Sequence, residues 1–205
     1  LLPSQMWMMD EPAFLLKDFV NDPYNYVSIL RSLAHGAHTT GRIVTHTGLA
    51  KGHIASYLST LRDTGFVSRE VPVTENDATS RRGRYFVTDP YLRFYYYSLA
   101  AYQSKLALGA QDELLEDIRE KMPAFIQTYT WRDLCAEWIL RASVNGVLPL
   151  PVESVGGYWL RAHDIDLCGI DRIEGSLILS VCLWDDTPKQ LDVMADLIEK
   201  TSLVI

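Results

Sequence analysis

The stretch Ile43-Val44-Thr45-His46-Thr47-Gly48-Leu49-Ala50-Lys51-Gly52-His53-Ile54-Ala55-Ser56-Tyr57-Leu58-Ser59-Thr60-Leu61-Arg62-Asp63-Thr64-Gly65-Phe66-Val67-Ser68-Arg69-Glu70-Val71-Pro72-Val73 changes from helical to strand periodicity part-way along. Ile43 and Val44 belong to a short helix, and Thr47-Gly48 makes a turn. Leu49 leads into a longer helix with Ile54, Leu58 and Leu61 on one side, until Gly65 stops it. Phe66 to Val73 alternates as a strand, Thr74 to Ser80 is a polar loop, and Arg84-Tyr85-Phe86-Val87-Thr88 returns as a second strand. Upstream, Asn21-Asp22-Pro23 is a turn and cap signal before a helix that carries Tyr26, Ile29, Leu30 and Leu33 and ends at His35-Gly36. Three helices and a two-stranded ribbon make a winged helix-turn-helix over residues 22–90.

In that arrangement one helix lies exposed across another. Its outward face is expected to carry Lys51, His53, Ser56, Tyr57 and Thr60, within reach of phosphates and base edges. Arg81, Arg82 and Arg84 at the wing are placed to meet an adjacent backbone of double-stranded DNA. The same fold also serves protein contacts with no DNA involved, and both readings stand at this level.

The chain has 205 residues, 48% of them hydrophobic and 22% charged, enough for two small domains. Its formal net charge is -7, which disfavours non-specific nucleic-acid binding by the chain as a whole. The charge is unevenly spread: between Tyr24 and Thr88 eight Lys and Arg face four acids, a local balance of +4. No apolar run reaches the roughly 18 residues needed to span a bilayer, so no membrane role is expected. Neither a secretory signal nor an initiator methionine is present at Leu1-Leu2-Pro3-Ser4, which points to a fragment. The three cysteines, Cys135, Cys168 and Cys182, match neither a disulfide framework nor a zinc signature, and a cytoplasmic setting fits them. His35-x-x-His38, with His46 and His53 nearby, has ligand-like spacing but no Cys or acidic partner at matching distance, so no metal site is assigned.

Residues 10–20 read as a short amphipathic helix with Pro12 in its first turn and no upstream neighbour to pack on. The aromatic run Tyr91-Leu92-Arg93-Phe94-Tyr95-Tyr96-Tyr97 is expected to pack in a core within a helix that continues to about Leu108. An acidic helix over 111–121 and a longer one over 123–144 come next. From Val155 the period changes: Tyr158 to Arg161, Ile165 to Ile170 and Leu177 to Trp184 read as strands, Pro188 to Lys200 as a helix, and Ser202 to Ile205 as the start of a last strand. The overall class is α+β, a winged helix followed by a helical connector and a small α/β domain.

The segments Asp22-Pro23-Tyr24, Gly65 to Val73 and Gly83-Arg84-Tyr85-Phe86-Val87-Thr88-Asp89-Pro90-Tyr91-Leu92-Arg93-Phe94-Tyr95 together resemble the C-terminal region of archaeal and bacterial AAA-type ATPases of the STAND-like group. The resemblance implies an upstream ATPase domain that would use ATP and Mg, with residues 1–21 as its residual linker helix. It also implies that residues 91–205 hold a restriction-endonuclease-like module of the PD-(D/E)XK type. This chain has no phosphate-binding loop, because Gly36-Ala37-His38-Thr39-Thr40-Gly41-Arg42-Ile43 offers Arg42 and Ile43 where lysine and a hydroxyl are needed. No cofactor is expected in the chain itself.

Nucleases of that type need an Asp at the end of one strand and acid-x-Lys on the next. Asp166 matches the first place, with Asp164 beside it. Val181 stands where the acid belongs and Leu183 where the lysine belongs. The site is thus expected to be vestigial, with no catalytic residue. The partners expected are double-stranded DNA, the upstream ATPase domain, or another protein.

Overall fold

The computed structural model describes residues 7–20, 22–106, 108–161, 163–184, 191–201 and 204. It is a mixed helix and sheet chain of the α+β class with two small antiparallel sheets. Two compact units divide it: Leu1–Glu70 with Gly83–Lys121, and Val71–Arg82 with Met122–Ile205.

The first unit begins with α1 (Trp7–Phe19), α2 (Tyr24–Ala34), α3 (Thr40–Thr47) and α4 (Lys51–Asp63). The short α3 is fixed at both ends. Thr39 accepts the Arg42 N–H at its start, and Gly48 closes it at φ 70, a left-handed conformation that a Cβ would penalise. Ile29, Leu30 and Leu33 of α2 meet Ile43 of α3 and Ile54 and Leu61 of α4, all at 1% exposure or less. The helical spacing read from the sequence therefore does put these side chains in one core.

Helix α1 joins that core through Leu16, and Phe19 stands edge-on to Phe66 with ring centroids 5.5 Å apart. This helix packs on elements that come later in the chain. Pro12 lies inside α1, not in a first turn, with its ring fully buried.

β1 (Val67–Glu70) and β2 (Arg84–Val87) form the two-stranded ribbon, with Val67 opposite Val87 and Glu70 opposite Arg84. β1 is shorter than its alternation suggests, because Pro72 lacks a donor and Val73 gives its N–H to the Gly157 carbonyl at 3.0 Å. Asp89 then caps α5 (Pro90–Phe94), its carboxylate accepting the Leu92 N–H at 2.9 Å. The expected single helix to Leu108 is instead α5, a π-helical turn at Tyr95–Leu99, and α6 (Gln103–Leu106). Tyr95 and Tyr96 are buried in the core, and burial raises both phenol pKa values.

α7 (Gln111–Phe125) carries Pro123 within it, so the chain does not break there. A π-helical turn, Ile126–Trp131, leads into α8 (Arg132–Val144). The second unit is then an antiparallel meander of β3 (Ser154–Leu160), β4 (His163–Asp171) and β5 (Ser176–Ser180), followed by α9 (Leu191–Thr201). The expected last strand lies almost wholly outside the described residues, and Val204 is in a turn.

A bulge decides which side chains face which layer. The β3–β4 register passes from Gly156↔Cys168 to Tyr158↔Ile165, so Asp166 and Leu167 together oppose Gly157. Ile165 and Cys168 consequently share one face with Leu197 of α9, while Leu167 enters the other with Ile139 of α8 and Val152.

Candidate functional site

The residues expected to contact nucleic acid do not all face the same way. Lys51, His53 and Ser56 are exposed along α4, with Gly52 and Ser59 beside them, opposite the buried Ile54, Leu58 and Leu61. Tyr57 is turned toward α2, where its hydroxyl accepts from Asn25 Nδ2 at 2.9 Å and its ring meets Tyr26 with centroids 4.9 Å apart. Thr60 is half-buried and gives its hydroxyl to the Ser56 carbonyl at 3.3 Å. Tyr57 and Thr60 line a recess of about 390 Å³ with Phe19, Asp22 and Tyr26, on the flank of α4 that faces α1 and α2. Round the helix from the exposed Ser56, Thr60 lies about 40° and Tyr57 about 100° away, toward that flank.

The three arginines of the ribbon also separate. Arg81 is exposed, and Arg84 is half-buried in β2 opposite Glu70. Arg82 is committed within the second unit: its Nη1 donates to the Trp159 carbonyl at 2.8 Å, its guanidinium pairs with Glu75, and it lies 5.9 Å from the Tyr158 ring centre. Trp159 Nε1 donates back to the Arg82 carbonyl at 2.7 Å. Val73 is held as well, its carbonyl accepting from Arg172 Nη2 at 3.1 Å. A Cβ on Gly156 would stand 3.2 Å from Val73 Cβ, so glycine is what lets the loop come this close to β3.

Asp164 and Asp166 do share a pocket, of about 310 Å³, with Val181. Two further residues reach it that the strand pattern alone did not bring forward: Asp196 and Lys200 of α9. Their i, i+4 spacing on an expected helix was the available signal. They neutralise each other, Lys200 Nζ standing 2.7 Å from Asp196 Oδ2. Asp166 is engaged by the backbone, its Oδ2 accepting the Cys182 N–H at 2.8 Å. Among the described residues no group of three or more His, Cys, Asp or Glu is arranged to hold a metal ion.

The segment expected to complete the second strand leaves the sheet. β5 ends at Ser180, and side chains take over the backbone groups beyond it. Besides the Asp166 bond, Gln127 Nε2 donates to the Cys182 carbonyl at 2.7 Å and Gln127 Oε1 accepts the Trp184 N–H at 2.9 Å. Val181 remains at the pocket, whereas Leu183 is partly exposed and is not among its walls.

Cys168 and Cys182 are buried, and burial pushes both thiols up to about 12. Cys135 is half-buried on α8. The paired histidines serve the fold of the first unit: His35 Nδ1 donates to the Arg31 carbonyl at 2.8 Å and His38 Nδ1 to the Tyr85 carbonyl at 2.9 Å.

With these positions fixed, comparison with known proteins adds family context for one segment. A model of DUF234, described as archaea bacterial proteins of unknown function, matches residues 95–194. That segment holds Asp164, Asp166, Val181 and Leu183 and excludes α4. Over 197 residues the chain is 27% identical to "Uncharacterized protein MJECL04" of Methanocaldococcus jannaschii, a match covering 95% of this chain and 44% of that protein. The chain thus spans less than half the length of this relative. No solved structure matches. Among the described residues no helix is long and apolar enough to cross a membrane.

Proposed function

We propose that this chain is the non-catalytic recognition end of an AAA-type ATPase, in which α2, α3, α4 and the ribbon act as a winged helix on double-stranded DNA. The observation that carries this reading is the outer face of α4. Lys51, Gly52, His53, Ser56 and Ser59 lie exposed on a helix anchored from behind by Ile54, Leu58 and Leu61. A helix with so small and polar a surface enters a major groove about 12 Å wide without steric conflict. Arg42, exposed in the first turn of α3, and Arg62, exposed near the end of α4, add positive charge for the flanking phosphates. The α8–β3–β4–β5–α9 unit is, on this proposal, a nuclease-like module that supplies a folded surface and cuts nothing. The parent ATPase is proposed on the sequence resemblance alone.

A second reading, a protein-interaction or lid module with no DNA contact, is favoured by one specific observation: Arg82, a wing residue, is already spent on Trp159 and Glu75. A mobility-shift titration with duplex DNA at about 50 and 200 mM salt separates the two. DNA recognition requires retardation at low salt that weakens steeply at high salt. No retardation at either salt concentration supports the interaction reading.

A further inference from the structure

The second unit carries a groove of about 670 Å³ along α8, lined by Trp131, Leu134, Cys135, Glu137, Trp138 and Arg141. It is apolar where a surface helix should be polar: Leu134 is 50% exposed, Trp138 58% and Val144 87%. The opposite side of the same helix buries Ile139 and Ala142 against the sheet, so α8 has one satisfied face and one unsatisfied face.

The charges on the unsatisfied face indicate what covers it. On a helical projection Val144, Glu137, Arg141, Leu134 and Trp138 form one stripe, with an acid and a base one turn apart at its centre. Within the chain Glu137 and Arg141 pair with each other, both remaining largely exposed. Laid antiparallel on a copy of itself about an axis level with Ile139, this stripe sets Glu137 against Arg141 of the copy and Arg141 against its Glu137. The same register sets Leu134 against Val144, while Trp138 on one rim of the stripe and Leu140, which is 38% exposed, on the other each meet their own counterpart across the axis. A parallel pairing would oppose like charges. The face is therefore self-complementary under a two-fold axis, as a symmetric homodimer interface must be.

We infer that α8 is the dimerisation helix of this chain, and that its occupant is the antiparallel α8 of a second copy. Charge reversal tests this, using the 205-residue chain in sedimentation velocity across the low to high micromolar range, with circular dichroism to verify folding. The wild type is expected to dimerise. Glu137→Arg alone and Arg141→Glu alone each oppose like charges across the axis and are expected to weaken the dimer by roughly tenfold or more in Kd. Mixing the two single variants pairs two positive with two negative positions and is expected to restore a heterodimer. Trp138→Ser removes apolar contact without changing charge and is expected to give monomer. A wild-type chain that stays monomeric at the highest concentration overturns the inference, as does a dimer that neither reversal weakens, or folded single variants whose mixture stays monomeric.

Discussion

Arg82 and Trp159 hold one another by two reciprocal hydrogen bonds, side chain to carbonyl in each direction, at 2.8 and 2.7 Å. This ties the loop between the ribbon strands to β3, and Val71–Arg82 is part of the second unit for that reason. Arg82→Ala removes one of these bonds, the Glu75 pair and the contact with Tyr158. The expected loss is about 1–2 kcal/mol for these partly exposed charge-assisted contacts, below the full buried value because solvent screens them. Arg81→Ala should change stability by less than about 0.5 kcal/mol, as exposed surface substitutions do. Urea unfolding of the two variants side by side checks this, and equal stabilities would deny the loop contact any energetic role.

The same asymmetry should appear in DNA binding. Lys51→Ala and Arg81→Ala are each expected to weaken binding across sequences and to lower the salt slope by about one unit, the mark of one lost phosphate contact. Arg82→Ala should leave the slope unchanged, because its guanidinium is occupied by Trp159 and Glu75. Ser56→Glu places a negative charge at the centre of the exposed face and should abolish retardation. Affinity measured across a series of salt concentrations distinguishes these variants.

The acidic pocket gives a third expectation. Incubated with plasmid DNA and Mg²⁺ or Mn²⁺, the chain should produce no nicked or linear product, since Lys200 is neutralised by Asp196 and Asp166 is held by the Cys182 N–H. Cleavage that disappears in both Asp166→Ala and Lys200→Ala would assign a catalytic site to this pocket and end the non-catalytic reading.

Burial of the thiols makes stability depend on alkaline pH. Cys168 and Cys182 stay protonated up to about 12 in the folded chain, against an ordinary value of 9.0. The native state therefore binds more protons than the unfolded state between those values. The stability these thiols contribute is full below about pH 9 and falls as pH rises from there toward about 12. Urea midpoints measured at neutral pH, near pH 9 and about one unit higher should decline in that order. At mildly alkaline pH iodoacetamide should label the half-buried Cys135 well before Cys168 or Cys182, as peptide mass mapping would show.

Local periodicity made much of the first unit legible. Ile29, Leu30 and Leu33, then Ile54, Leu58 and Leu61, recur at helical spacing because a helix must bury one stripe, and the structure buries all six. Gly48 marked the turn that closes α3, a conformation set by its immediate neighbours. The aromatic run does pack as core, since large rings gain more from burial than from standing in water.

Other features depended on partners distant in sequence. Whether Tyr57 faces out was settled by Asn25, and whether Arg82 is free was settled by Trp159, 77 residues away. Leu183 left the strand because Asp166 and Gln127 took the backbone groups around it. Asp196 and Lys200 reached the pocket only through the packing of α9 on the sheet. Sequence by itself determined the buried stripes of α2 and α4 and the turns at Gly48 and Gly65, because those depend on neighbours within a few positions. Tertiary structure alone decided which polar side chains remain available, because each hydrogen-bonding group is claimed by whichever partner the fold brings within about 3 Å.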